Sequence, residues 1–228
     1  MNVNPIIEET IAKKVLAAQS EREVREPSGR LSASRLGWPL QWQMLHYLKI
    51  GGGEHDEYTL RKFQRGKDVE ERIVDWLDLE PNQKQVECDY RGVVGIADVI
   101  IDYPIEIKST TNMAFKHIQK EGPKLGHRLQ SMLYAKALGY DTFGVAYVAS
   151  DDYRVLCYEC PVTDEVDEVI DAYEKQLALG FVPEFVPVEP WQALAQYNNY
   201  PEWQKLNQEQ INKKLIELGI NVTQTLGI

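Results

Sequence analysis

Residues 94–110, VGIADVIIDYPIEIKST, constrain this chain more than any other stretch. Two runs rich in valine and isoleucine flank a turn at Asp102, Tyr103 and Pro104, which reads as an antiparallel hairpin. Each run nevertheless carries an acid, Asp98 in one and Glu106 in the other. A turn at that place sets Asp98 opposite Glu106 or Ile107, with facing side chains roughly 5 Å apart, where like charges destabilise. The first run, VVGIADVII, is otherwise apolar on both faces, as expected of a strand covered on both sides. A lone acid there is costly unless it is paired or ligating. A divalent cation offsets the repulsion, because hard ions such as Mg²⁺ or Mn²⁺ take carboxylate oxygens. The strand period puts Lys108 on the Glu106 face and turns Ile105 and Ile107 into the core. Read from spacing alone, a hairpin whose Asp, Glu and Lys are merely solvated is the alternative.

The surroundings set the hairpin in an α/β chain. Residues 5–22 read as a helix that REPSGR interrupts with Pro27 and Gly29. LSASRLGWPLQWQMLHYL follows as a second helical stretch with serines suited to capping, and GGGEHDE is a loop. From Arg65 to Leu79, Val69, Ile73, Trp76 and Leu77 share a helical face, with Glu70 at its edge. KQVECDYRGVVGIADVIIDYPIEIKS reads as three antiparallel strands. KLGHRLQSMLYAKALGY is a helix stopped near Gly139, TFGVAYVA and YRVLCYECP are two further strands, and an amphipathic helix spans Asp164 to Leu179. FVPEFVPVEPW is extended, and EWQKLNQEQINKKLIELGI is a terminal helix able to pack on the core or on another subunit.

The 228 residues suit one main core with appendages. Their division is a helical part over 1–60, a core over 61–160, and a helical and extended part over 161–228. No apolar run approaches the ~18 residues of a membrane span, and the acids at Glu8 and Glu9 do not suit a secretory signal. The expectation is a cytoplasmic protein with no membrane partner. Cys88, Cys157 and Cys160 are an odd number, which fits a reducing compartment, and the Cys157–Cys160 spacing falls in a strand where both read as small apolar fillers. The formal charge of −10 argues against a nucleic-acid partner only until its distribution is considered. Residues 151–189 hold eleven acids against Arg154 and Lys175, whereas RKFQRGK, residues 61–67, has four basic residues and no acid. Local patches therefore matter more than the total.

GIAD followed by IEIKS resembles the motif of the PD-(D/E)XK nuclease superfamily. RGKDVEE, with Gly66 and Glu70, is similar to the helical G-x-x-x-(H/E) motif of its RecB-like exonuclease branch, and QSMLY, with Gln130 and Tyr134, to the Q-x-x-x-Y motif. SASRLGWPLQW resembles the branch's opening helix, so the likeness runs in order over roughly residues 31–160. It implies an α/β, restriction-endonuclease-like core, a mixed central β-sheet flanked by helices in the order αβββαβ, with extra helices at both ends.

That likeness also implies a metal-dependent deoxyribonuclease using Mg²⁺ or Mn²⁺, with Asp98, Glu106, the Ile107 carbonyl and Glu70 as metal ligands. Glu70 stands where many relatives have histidine, so it could ligate directly or through water. Lys108 would orient the attacking water and offset transition-state charge. Gln130 and Tyr134, with His127 close to the same helical line, would position the site and the strand. Arg65, Lys124, Arg128, Ser34 and Arg35 are the candidate DNA contacts, while Ser32, Lys116 and Lys120 read equally well as cap or solvated face. Trp38 stands near the place of the first cysteine of an iron-sulfur cluster found in some relatives, and the remaining cysteines are missing, so no cluster is expected. Trp38, Trp42 and Trp191 are candidates for filling that space. The leading expectation is a DNA exonuclease of recombination, repair or phage DNA processing, possessing DNA and a homo-oligomer or recombination protein as partners. A structure-specific endonuclease or resolvase, and a non-catalytic nucleic-acid-binding module, are the alternatives.

Overall fold

The computed structural model describes residues 29–52, 57–194 and 198–220, with Ile7, Glu9 and Lys13. Most of the helix expected over 5–22 and most of the GGGEHDE loop lie outside the described residues.

Five strands form one sheet in the order β1-β2-β3-β4-β5: β1 Lys84–Tyr90, β2 Val93–Ile100, β3 Pro104–Thr110, β4 Thr142–Ala149 and β5 Val155–Pro161. All neighbours are antiparallel except β3 and β4. A parallel pair needs a crossover, and two helices supply it, α3 Asn112–Glu121 and α4 Leu125–Leu138. Ahead of the sheet come α1 Leu40–Tyr47 and α2 Glu57–Trp76; after it come α5 Glu165–Leu179 and α6 Gln208–Glu217. From α2 onward the order is αβββαβ with α3 inserted.

Alternation along β4 separates two apolar layers. Phe143, Val145 and Tyr147 join the larger core beneath α1, α4 and α5, whereas Ala146 and Val148 pack with Ile105, Ile107, Val69 and Val74 beneath α2. Local signals end the helices where expected. Gly139 and Gly180 close α4 and α5 in the left-handed region at φ 77° and 68°, and Thr111 caps α3 by accepting from the Ala114 amide.

Several expectations change. The stretch 31–48 is not one helix: Ala33–Arg35 forms a 3₁₀ turn, and α1 starts only after Pro39, which cannot sit inside a helix. The helix expected over 65–79 begins at Glu57, and Trp76 and Leu77 are exposed at its end, where Trp76 lies 5.1 Å from the Tyr153 ring. Helix α3 was not legible as a separate element. Cys157 is exposed on β5 rather than filling the core, because β5 is an edge strand with one face open. Ile96 is likewise exposed, so β2 is covered on both faces only around Ala97–Val99. The C-terminal part packs on its own chain: Phe185 stacks on Trp42 at 5.6 Å, and Val182, Tyr200, Trp203, Ile211 and Leu215 are buried in the larger core. No described helix is long and apolar enough to cross a membrane.

Candidate active site

Strands β2 and β3 pair at only two positions beside their turn, Ile100 with Pro104 and Val99 with Ile105. Continuing that register sets Asp98 opposite Glu106. Here the regular ladder gives way. Ala97 belongs to the larger core and Val99 to the smaller one, so β2 turns through the sheet plane at Asp98 instead of keeping its two-residue period. The Asp98 carboxylate takes the place of a main-chain partner, its Oδ2 accepting from the Ile107 amide at 2.7 Å.

Both acids are inside the protein, Asp98 7% and Glu106 2% exposed. Glu106 and Lys108 stand in register with Val145 and Tyr147, on the face that α4 covers. The Lys108 ammonium donates to Glu106 Oε1, while Glu106 Oε2 is buried with no hydrogen-bond partner. Burial, then the charges of Glu106 and Glu70, hold the Asp98 carboxyl well above the usual carboxylate range. Burial also raises Glu106, with Lys108 opposing it. For Lys108 burial disfavours the charge, but Glu106 and Asp98 outweigh it and its pKa rises. The ammonium thus answers one of two buried acids, and the other, Asp98, favours its protonated form.

Glu70 reaches this cluster from α2, its Oε1 accepting from Gln85 Nε2 at 3.3 Å. Gly66, one turn earlier, faces β3, and a Cβ there would stand 3.4 Å from Ser109 Oγ, an ordinary contact. From α4, Gln130 Nε2 donates to the Tyr134 hydroxyl at 2.8 Å. Burial and then Glu106 push the Tyr134 pKa up, which ties this helix face to the acids. Gln130 and Tyr134 also line a cleft of about 760 Å³ with Ser32, Ser34, Gly95 and Ile96.

The five expected DNA contacts do not behave alike. Arg65 and Lys124 are exposed. Arg128 donates to Glu165 at 2.5 Å, and Arg35 donates to Ser32 Oγ at 2.6 Å while lying 5.1 Å from the Trp38 ring centroid. Ser34 is exposed, with its Oγ 3.2 Å from Ser32 Oγ. Trp38 and Trp42 pack edge to face at 6.0 Å, whereas Trp191 is 39% exposed. Sequence reasoning left two residues of this region without a role, Gln85 and Tyr147. Tyr147 meets His127, its hydroxyl 2.9 Å from Nδ1. The helical line through His127, Gln130 and Tyr134 was the one sequence signal for that contact.

The donor set suits a hard divalent cation: carboxylate oxygens on two buried acids, one of them orphaned, with a third acid nearby. Among the described residues no three His, Cys, Asp or Glu side chains are gathered as a finished metal cage.

No protein-family model matches the chain, and no curated protein matches it in sequence. Solved structures do match. An alkaline exonuclease from Laribacter hongkongensis, LHK-Exo, superimposes with a TM-score of 0.51 at 17% identity, over 73% of this chain and 93% of that one. The same enzyme in complex with dAMP gives 0.51 at 17% identity, over 67% and 90%. The fold is restriction-endonuclease-like. The crystal structure of SSO0001 shares it, with a TM-score of 0.50 at 20% identity, over 82% of this chain and 91% of that one.

Proposed function

We propose that this chain is a metal-dependent DNA exonuclease of the PD-(D/E)XK superfamily, in its RecB-like branch. The observation that carries the reading is the buried pair Asp98 and Glu106, where the strands separate, with Glu106 Oε2 unpartnered and Lys108 alongside. A chain that keeps two acids in so costly a place has a use for their combined charge. Likeness of fold to an alkaline exonuclease raises the prior without assigning the chemistry.

In this reading Asp98, Glu106 and the Ile107 carbonyl hold Mg²⁺ or Mn²⁺, with Glu70 ligating directly or through water. The bound ion would supply charge to the scissile phosphate and acidify water. Lys108 aims the attacking water and donates to the phosphate as charge builds there. The water oxygen bonds to phosphorus as the P–O3′ bond breaks; the water proton passes to solvent and the 3′-oxygen takes one up. Products are a 5′-phosphate and a 3′-hydroxyl. Gln130 and Tyr134 place the strand, and Arg65 and Lys124, both exposed, meet neighbouring phosphates. The setting is DNA recombination, repair or phage DNA processing in the cytoplasm, with a homo-oligomer or a recombination protein as partner.

The test is digestion of 5′- and 3′-labelled single- and double-stranded DNA with Mg²⁺, Mn²⁺ or EDTA. Release of nucleotides from labelled ends, abolished by EDTA, with closed circles spared, is the expected result. Cleavage of circles would make the chain an endonuclease. No cleavage of any substrate with either ion would make it a non-catalytic module.

A further inference from the structure

The nuclease reading leaves a half-buried histidine without a task. His127 lies on the face of α4 that carries Gln130 and Tyr134, three and seven residues on. Its Nδ1 is 2.9 Å from the Tyr147 hydroxyl, and the rings stand 5.6 Å apart. Tyr147 in turn is the register partner of Lys108 across the parallel strands, so imidazole, phenol and ammonium occupy one side of the sheet.

Hydrogen-bond accounting favours one tautomer. The Tyr147 side chain is 1% exposed, so its phenolic proton is out of reach of bulk water. Its oxygen accepts from the Lys124 amide at 3.0 Å, and a backbone N–H can only donate. Among the described residues the acceptor within reach of the phenolic proton is His127 Nδ1. Neutral imidazole carries one proton, which must then be on Nε2. Burial first, then the charges of Lys108 and Lys124, lower the His127 pKa to about 3, so the ring is neutral at pH 7. Among the described residues no protein acceptor is found for Nε2–H, and Nε2 is not one of the buried polar atoms without a partner.

We infer that His127 Nε2–H is a fixed, neutral hydrogen-bond donor to a non-bridging oxygen of the substrate phosphodiester, with Tyr147 as the positioning residue that sets its tautomer. The inference rests on the nuclease reading of the same site. A neutral donor suits this place: beside Lys108 a second cation would be repelled, whereas an uncharged N–H adds a hydrogen bond as charge develops on phosphate.

Two measurements on the full chain test it. In ¹⁵N-histidine spectra at neutral pH, the resonance lost in His127→Gln should report the Nε2–H tautomer, and Tyr147→Phe should shift that resonance towards a mixture. An Nδ1–H tautomer or an imidazolium in the wild type would overturn the inference without touching the nuclease reading. In kinetics, His127→Ala should lower kcat by roughly 100-fold, the scale for one lost transition-state donor. His127→Gln, whose Nε2 can still donate, should recover at least a tenth of wild-type kcat. Wild-type rates in His127→Ala would refute the donor role, while loss of activity in Asp98→Asn alone would leave the nuclease reading standing. If the wild type cleaves nothing, both fall.

Discussion

Asp98 is a buried acid in an otherwise apolar strand. It sits where β2 leaves regular pairing, and it satisfies the Ile107 amide that the missing ladder bond would otherwise leave unpaired. Replacing it with asparagine keeps the shape and removes the charge. Asp98→Asn and Glu106→Gln are expected to fold normally and to lose at least about 100-fold in kcat, measured on end-labelled DNA with Mg²⁺. A second readout does not involve turnover. Mn²⁺ should raise the thermal midpoint of the wild type, because a ligand that binds only the folded state stabilises it, and this shift should vanish in Asp98→Asn. An equal shift in both proteins would remove the metal from this site. The acids were legible in the sequence because each interrupts an apolar run. The His127–Tyr147 contact was not, since it depends on how α4 settles across β4 after the crossover, which neither residue's neighbours announce.

At the scale of elements, two close approaches carry the architecture. A Cβ on Gly37 would lie 2.6 Å from Gly126 Cα, backbone that cannot swing aside. Gly37→Ala should therefore push the start of α4 away from the 3₁₀ turn and cost up to about 3 kcal/mol in urea unfolding, the range for overpacking. The second element is α2, whose exposed Arg65 and Lys67 precede Glu70 on the same helix. Arg65→Ala should weaken DNA binding across sequences and reduce the slope of log K against log salt by about 1 if it meets one phosphate. An unchanged slope would take Arg65 off the DNA path. The strands and α4 could be read from pattern because their apolar periods are clean and Gly139 ends the helix. Helix α3 could not: NMAFKHIQKE buries only Phe115 and Ile118, too few positions to mark a period. The break at Gly37–Pro39 also hides inside a stretch whose apolar residues look continuous.

For the whole molecule, acid should be destabilising through the two histidines whose pKa values are lowered, His127 beside the acids of the site and His46 far from them. His46 is 6% exposed and its pKa falls to about 4, from burial first and then the charge of Arg35. The unfolded chain protonates near the ordinary value of 6.5, so between there and about 4 it binds more protons than the folded one. Stability is full above that window and declines as pH falls through it. Urea midpoints should drop from pH 7.5 to pH 5, and the drop should shrink in His46→Gln; an unchanged drop would place its cause elsewhere. At this scale the sequence revealed the αβββαβ order but left open whether the last segment served its own core or a neighbour's. Its prolines and sparse apolar positions carry no period from which a docking partner could be read.

The C-terminal segment closes over α1: Gln41 Nε2 donates to the Pro183 carbonyl at 3.1 Å, Gln192 Nε2 to the Gly37 carbonyl at 2.7 Å, and Phe185 lies on Trp42. During synthesis the ribosome releases the first helices long before the residues that cover them. Until residues 182–215 emerge, Trp42 lacks the Phe185 and Tyr200 rings that pack against it. Such an order of events leaves the larger core open on one side while the polypeptide is still being made.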